Sequence, residues 1–495
     1  MIAPPQLLPL GEHAWRFALP PSADRRALLG ALRAVAGVVD VVLAEDLGAV
    51  VLDAEATPDV VARTLEHVLV DAPAARTGAP APRITIPVVY DGEDLLPLAE
   101  ALGLSTEALV ALHARRDYEV AMVGFLPGFA YLRGLDPRLV VPRRASPRTR
   151  VPARSVAIAA GYTGIYPSPS PGGWHLLGEA PAFVPFDARG AALALGDRVR
   201  FEPVARTAAP AAGPPAAAVP RAAGRRWLEV SAVRGPAIVV DGGRPGHMHE
   251  GVPHGGPLIR GAMARANAAA GNARGACAVE LYGAIDVVAR GGRITVADDG
   301  GARTLEDGEC LTARPPAGRR AGYLAVQGGL DVPLVLGSRC TLLSAQLGGL
   351  AGRTLRRGAS LVVAEETEEP HALGGDAPPA PAPSSVIALL AGPDADPVAL
   401  RALLRTPFAI AAASDRTGTR LDGPPLPASV HSARDRRSGP MVRGAVELTP
   451  AGPIVLGPDH PTTGGYPVVA VVREEATDAF FGAPIGAPIR FAAGE

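Results

Sequence analysis

From Met122 to Gly178 the chain reads MVGFLPGFAYLRGLDPRLVVPRRASPRTRVPARSVAIAAGYTGIYPSPSPGGWHLLG, a run punctuated by glycine and proline. Such punctuation excludes long helices and leaves short strands joined by turns, of which Ser155 to Ala160 is the most apolar. Two loops stand out, Gly124 to Phe129 and Ser170 to Trp174. Glycine there permits positive φ or close approach to a ligand, and proline stiffens the entry. Between the loops lie Arg143, Arg144, Arg148, Arg150 and Arg154, which could cradle an anion. Any all-β domain carries Gly/Pro turns with solvated arginines. The length and order of the whole run favour a ligand site over that plainer reading.

Before this run, residues 7 to 77 alternate strand and helix patterns: a strand at Ala14 to Leu19, a helix at Asp24 to Ala36, strands at Val38 to Leu43 and Ala49 to Leu52, and a helix at Pro58 to Leu69. That series predicts a small α+β unit of ferredoxin-like kind. Ala72 to Pro82 reads as a linker. A strand at Ile84 to Tyr90 follows, with two helix patterns, the second opened by Ser105 as a cap. The short strands after it predict a β-barrel or sandwich. Residues 205 to 225 and Glu365 to Ser385 are low in apolar bulk and rich in Ala, Pro or acidic residues, so domain breaks are placed there. The division is 1–80, 81–205, a linker at 206–225, 226–368, a linker at 369–385, and 386–495.

All 48 basic residues are arginine, against 49 acidic ones. The near-zero net charge gives no case for nucleic acid or membrane surfaces, and aromatics at 4% are too few for stacking platforms. The lack of lysine excludes a Walker A loop, a Schiff base and biotin attached to this chain. Cys277, Cys310 and Cys340 have no paired spacing, which predicts reduced thiols and a cytoplasmic protein. Met1 to Leu10 lacks a signal-peptide pattern, and no apolar run approaches a membrane span.

The run 122–178 resembles the B component of 5-oxoprolinase, also described as KipI-like or as allophanate hydrolase subunit one. The resemblance rests on GF-x-PGF-x-YL, GLDPRL, PR-x-x-PR-x-x-VP, SVAI, TGIYP and SPGGW in that order, and covers roughly residues 7 to 203. It implies a cyclophilin-like barrel. From Trp227 onward the chain resembles the C component of 5-oxoprolinase, also described as KipA-like or as allophanate hydrolase subunit two. The carrying residues are Gly243-Arg244-Pro245-Gly246, Gly251-Val252-Pro253, Ala266-Asn267, Gly271-Asn272, Glu280, Tyr323 to Val326, Gly337-Ser338-Arg339, Ser414-Asp415-Arg416, and Thr462 to Pro467. The expected whole is a mainly β chain with α+β parts: cyclophilin-like β-barrel domains preceded by the ferredoxin-like unit, with the B and C components fused in one polypeptide.

The resemblance implies an ATP-dependent step, with Mg, that activates a lactam oxygen by phosphorylation, while a separate A component completes hydrolysis of 5-oxoproline. Within such a reaction the candidates for catalytic roles are Arg148, His175, Asn267, Glu280 and Arg416. The binding set is Phe125, Pro127, Arg143, Arg144, Thr163, Gly164, Ser170, Gly172, Gly173 and Trp174 in the first half. In the second it is Arg244, Asn272, Arg339, Thr462, Thr463, Gly464, Gly465 and Tyr466. Plain turn or helix-end roles are the alternative for each. His247, His249 and His254 near Glu250 could bind metal, but Gly and Pro surround them and no metal set is assigned. Expected partners are a protein like the 5-oxoprolinase A component and a small cyclic amide or urea-like substrate, and a homo-oligomer is left open.

The chain departs from the C-component pattern at Val239 to Gly242, Gly255 to Ile259 and Pro461 to Val468, and Glu179-Ala180 replaces an Arg-Thr in the first half. Those losses of polar groups bear on catalysis more than on fold. They motivate two other functions: a urea-carboxylase-like carboxyltransferase served by a separate biotin carrier, and a regulatory binding protein of the KipI/KipA type.

Overall fold

The computed structural model describes residues 6–21, 23–72, 83–206, 225–364, 384–426 and 438–494. Most of the expected linker residues, at 73–82, 207–224 and 365–383, lie outside that set.

The N-terminal strands and helices form where expected. Asp24 caps the helix Arg25–Arg33 by accepting from the N–H groups of Arg26 and Ala27, and Leu28 and Leu32, one turn apart, are buried. Pro58 opens the helix Pro58–Val70, whose Val61, Leu65 and Leu69 recur every four residues and are buried. These helices share a core with Phe17, Val41, Leu43 and Val50 of the sheet. The sheet order is Leu8–Pro9, Ala14–Ala18, Leu47–Leu52, Val38–Leu43. Its fourth place is taken by a strand that precedes the unit. This differs from a ferredoxin-like unit, because the next strand observed after the second helix, Arg83–Val88, joins a larger sheet.

That larger sheet has seven strands, running from His175–Glu179 at one edge to Arg83–Val88 at the other. Val89 and Glu179 bridge the two edges through hydrogen bonds of 2.8 and 2.9 Å, which brings the sheet round on itself. Ser105 caps the helix Thr106–Ala114 through its side chain. The strand Ser155–Ala159 is buried on both faces, so it shows no polar alternation. Val156 and Ile158 join a core with helix residues Leu98, Leu109 and Leu112, whereas Ala157 and Ala159 join an aromatic cluster of Phe129, Tyr131, Tyr166 and Trp174.

In the second half, a four-stranded and a five-stranded sheet enclose one core between Trp227 and Val363. A closed seven-stranded barrel follows from Val386 to Ala493, with the helix Glu474–Gly482 contributing Phe480 and Phe481 to its core. The β-barrel expectation is met.

The two halves touch directly. Leu10, Ala14 and Ala49 of the N-terminal sheet pack with Met441, Val442, Ala445, Leu456, Val468 and Val471 of the last barrel. Arg16 forms a two-pronged ion pair with Asp394, both contacts 2.8 Å. Asp40, buried at 1% exposure, accepts the N–H groups of Gly246 at 2.7 Å and Met248 at 2.9 Å and also bonds His254. The short Ala/Pro spacer separates the halves in sequence, but apolar area and buried polar pairs join them in space.

Candidate functional site

The arginine-rich run does not form the open anion cradle expected of it. Arg144 contacts Asp94 at 2.7 Å, and Arg148 grips both oxygens of Asp94 at 2.8 and 2.9 Å and reaches Glu93 at 3.1 Å. The N–H of Leu176 adds a fourth bond to Asp94 at 2.7 Å. Burial pushes the Asp94 carboxyl up, but the hydrogen bonds from Arg148 and Leu176 and the charges of Arg148 and Arg144 outweigh it and hold the group below its ordinary value. Arg148 is thus engaged by two carboxylates from the segment before the first helix of this domain. Removing the carboxylate with Asp94→Ala should cost about 2 kcal/mol, because a buried N–H and two guanidinium groups lose their acceptor. Urea denaturation checks this, and an unchanged midpoint would contradict it. Arg143 is exposed, and its charge acts on the nearby Tyr131 and Tyr166 hydroxyls.

The remaining first-half residues divide between packing and turns. Phe129 sits at the centre of an edge-to-face cluster, with ring centroids 5.3 Å from Trp174, 5.2 Å from Tyr166, 4.9 Å from Tyr131 and 5.6 Å from Phe125. Gly164 is forced: a Cβ there would lie 2.9 Å from the Ala130 carbonyl and 3.2 Å from the Phe129 ring. A Cβ on Gly172 would strike the Tyr166 hydroxyl, and the Gly173 carbonyl accepts from Arg144 N at 2.8 Å. Ser170 Oγ is buried without a partner. His175 bonds the Pro142 carbonyl at 3.1 Å, in keeping with the turn role given as its alternative. Thr163 is fully buried. Its hydroxyl donates to Ala157 O at 3.1 Å and accepts from His113 Nε2 at 2.8 Å, while His113 Nδ1 takes the Tyr90 hydroxyl at 2.7 Å. Burial drives His113 down to about 3, so this relay is a neutral core network.

In the second half Glu280 and Arg416 are brought together, but as a closed network. Arg416 binds both oxygens of Asp459 at 2.8 Å, Glu280 Oε1 at 2.5 Å and the Gly256 carbonyl at 2.7 Å. Glu280 also accepts from Tyr282 at 2.6 Å, Tyr323 at 2.8 Å and Leu258 N at 2.7 Å. The Glu280 carboxylate and the Arg416 guanidinium are thus tied to each other and to partners inside the protein. Asn267 donates to the carbonyls of Arg274 and Ala276, and Asn272 bonds Asn267, the Val326 carbonyl and Gly328 N, so the pair shapes a loop. Arg339 is buried, and its N–H bonds Asp241, which also holds Ser338. Arg244 is fully buried; its Nη2 bonds the Cys340 carbonyl, while Nε and Nη1 have no partner. Burial pushes the neighbouring Cys340 thiol up to about 12, so it is no nucleophile.

The motif loops of the two halves meet. Phe125, at a positive φ of 67°, donates its N–H to Thr463 Oγ1 at 3.2 Å, and any side chain at Gly124 would strike Thr463. A non-glycine residue held at such φ is a mark of a constrained site. Pro127 is buried in the same turn, and Gly128 N–H donates to the Glu250 carbonyl at 2.8 Å. Thr462 Oγ1 is buried without a partner. Gly464, Gly465 and Tyr466 line a cavity of about 260 Å³ between the halves, with Arg16, Asp46 and Leu47 on the other side. A larger groove of about 1650 Å³ runs between the lobes of the second half and is lined by none of the predicted site residues.

Glu447 was missed by sequence reasoning. It lies in the strand Ala445–Thr449 and is 7% exposed. Burial raises it to about 7. Its signal was present: a single acid between Val446 and Leu448 of a strand. Among the described residues no group of three or more His, Cys, Asp or Glu could hold a metal ion. His247 bonds Glu250 at 3.2 Å and His254 bonds Asp40. The three cysteines form no disulfide, and no single helix among the described residues is long and apolar enough to cross a membrane.

This architecture defines a carboxyltransferase-type chain. Residues 5–195 match the family model "Carboxyltransferase domain, subdomain C and D", and residues 250–493 match "Carboxyltransferase domain, subdomain A and B". The chain belongs to the carboxyltransferase-domain family that includes the 5-oxoprolinase B and C components, with a B-like and a C-like half fused. It is 43% identical to the 5-oxoprolinase B subunit of Bacillus subtilis over 123 residues, which is 24% of this chain and 51% of that protein. It is 32% identical to the 5-oxoprolinase C subunit of Escherichia coli over 279 residues, 51% of this chain and 86% of that protein. The chain thus spans about half the length of the B-type relatives it matches. The crystal structure of TTHA0988 superposes with a TM-score of 0.82 at 33% identity, covering 97% of this chain and 99% of that one.

Proposed function

We propose that this chain is a component of an ATP-dependent 5-oxoprolinase, in which the fused halves bind and activate a small cyclic amide and a protein like the 5-oxoprolinase A component completes its opening. The observation that carries this is the junction at Phe125 and Thr463, where the GF-x-PGF loop of one half is seated on the TTGG loop of the other. A site that needs both loops would make the two halves act as one unit. Phosphate contacts fall to Arg143, which is exposed, because Arg144 and Arg148 are occupied by Asp94. Domain breaks at 206–225 and 369–385 and a cytoplasmic location are part of this proposal.

The test is nucleotide turnover by the full chain with 5-oxoproline and a supplied A-component protein. Turnover that depends on both additions supports the reading. A folded protein that turns over no nucleotide and instead carboxylates urea, when given a carboxybiotin carrier, would favour the carboxyltransferase alternative. A protein that binds neither nucleotide nor amide would favour a regulatory role.

A further inference from the structure

We infer that Arg115, Arg116 and Arg138, gathered round the carboxylate of Asp136, form a binding site for the phosphate dianion of a small organic phosphate. The inference goes beyond the function proposed above and uses none of its residues. Asp136 and Arg138 belong to the run Gly134 to Leu139, GLDPRL, a motif that takes no part in the junction of the two halves. Leu135 and Leu139 are buried in the core with Leu109 and Leu112, which fixes the turn from both sides. Pro137 opens the short helical turn Pro137–Leu139, and the Asp136 side chain caps it by accepting the N–H of Arg138 at 3.1 Å. Arg115 and Arg116 arrive from the C-terminal end of the helix Thr106–Ala114.

The carboxylate lies beneath, and the guanidinium groups reach the surface. The side chain of Asp136 is 4% exposed, whereas those of Arg115, Arg116 and Arg138 are 56, 40 and 56% exposed. Asp136 Oδ2 accepts from Arg115 Nη2 at 2.8 Å, Arg116 Nη2 at 3.2 Å and Arg138 Nη2 at 3.3 Å, and Oδ1 accepts from Arg138 Nε at 3.1 Å. Among the described residues no other acceptor bonds these side chains. A guanidinium carries several N–H donors in a rigid fork, so each of the three keeps donors beyond those that Asp136 takes.

Three guanidinium charges against one carboxylate leave two uncompensated. The hydrogen bonds from Arg138 and Arg115 hold the Asp136 carboxyl well below its ordinary range, so it stays charged and the excess is constant near neutral pH. The acids next along the chain do not offset it: Asp117 pairs with Arg83 at 3.3 Å and lies 3.8 Å from Arg200, and Glu119 pairs with Arg133 at 2.7 Å. Bracing the turn needs one such pair. A second and a third cation on the same carboxylate repel each other and the first, and a single negative charge offsets only part of that. A dianion on the open side offsets the rest. Phosphate suits the site in charge and in shape, because it carries close to two charges at neutral pH and its oxygens match the planar fork of a guanidinium. Neither cavity described above is lined by these residues, so the group recognised is the phosphate itself.

The experiment is calorimetric titration of the full chain with inorganic phosphate, and separately with AMP, at about pH 7.5, where both are mainly dianions. Sodium chloride keeps the ionic strength constant, and adenosine is the control without phosphate. The wild type should bind phosphate and AMP saturably and leave adenosine unbound. Arg116→Gln combined with Arg138→Gln should weaken both at least about tenfold, because charge-assisted bonds to a dianion are lost. Arg83→Gln, which removes a half-exposed arginine paired with Asp117, should leave the affinity unchanged. Circular dichroism confirms the fold of each variant. If the double variant misfolds, Arg116→Gln alone takes its place and should weaken binding about threefold or more. A response to phosphate no larger than that to chloride would overturn the proposal, as would unchanged affinity in the arginine variants or an equal loss in Arg83→Gln. AMP bound no more tightly than adenosine, or bound where inorganic phosphate is not, would overturn it too. Binding is read without turnover, so its failure leaves the proposed enzyme standing, and a chain that turns over no nucleotide leaves this site standing.

Discussion

Replacing Arg416 with methionine should lower the unfolding free energy by about 3–5 kcal/mol, the largest loss we expect from any single substitution outside the apolar cores. Arg416 is buried at 6% exposure and is the only cation bonded to Glu280 and Asp459 among the described residues. Without it, two carboxylates stay in a space that excludes water. Burial already raises Asp459, and the charge of Arg416 acts against that. Removal of the cation would make one or both carboxyls take up a proton or draw in water, and either costs stability. Arg416→Lys keeps the charge but cannot grip both oxygens of Asp459 and reach Glu280 together, so it should recover only part of the loss. A double variant, Arg416→Met with Glu280→Gln, should be less damaged than the sum of its parts, because one orphaned charge goes with its partner. Urea denaturation of the three proteins is the measurement. A methionine variant as stable as the wild type would show that the network is solvated and not a buried keystone.

The second large effect is on the pH dependence of stability, and it has the opposite sign from that of a salt-bridged acid. Glu447 titrates at about 7 in the folded protein, against 4.5 when unperturbed. A folded-state value above the unfolded one means that the contribution of the group is complete below about pH 4.5 and is lost as pH rises to about 7. At about 1.4 kcal/mol per pH unit, the difference amounts to about 3 kcal/mol. Glu447→Gln has no charge to bury, so above pH 7 it should be more stable than the wild type by that order, and at pH 4.5 nearly equal to it. Thermal unfolding of both proteins across that range checks the claim. Parallel pH profiles would place the carboxylate in contact with water or a donor. A residue that destabilises its own fold at working pH is the pattern of a site kept for function.

The local elements were readable because the physics that makes them is local. Asp24, Pro58 and Ser105 mark helix starts by satisfying or lacking an N–H within three residues, and four-residue spacing of Leu and Val marks the buried face of the first two of these helices. The short strands between Gly124 and Gly178 follow from glycine and proline alone. The partners of the arginines were not readable in the same way. Spacing brings Arg143, Arg144 and Arg148 close together, but Asp94, 50 residues before Arg144, arrives only when the sheet curls round. Likewise Asn267 and Asn272 look like binding residues in a motif, and it is the turn of chain they close that consumes their amides.

By itself, the order of motifs determined the family, the mainly β character and the pairing of two halves, since these rest on covalent order and on backbone preferences that act over a few residues. Only the tertiary structure decided which charges are spent and which remain open. Whether a guanidinium faces a ligand or an internal carboxylate depends on contacts between residues as far apart as Arg16 and Asp394. The desolvation that leaves Glu447 unpaired beside Gly464 is a property of the packed interior, where the cost of charge is set by all the atoms around it.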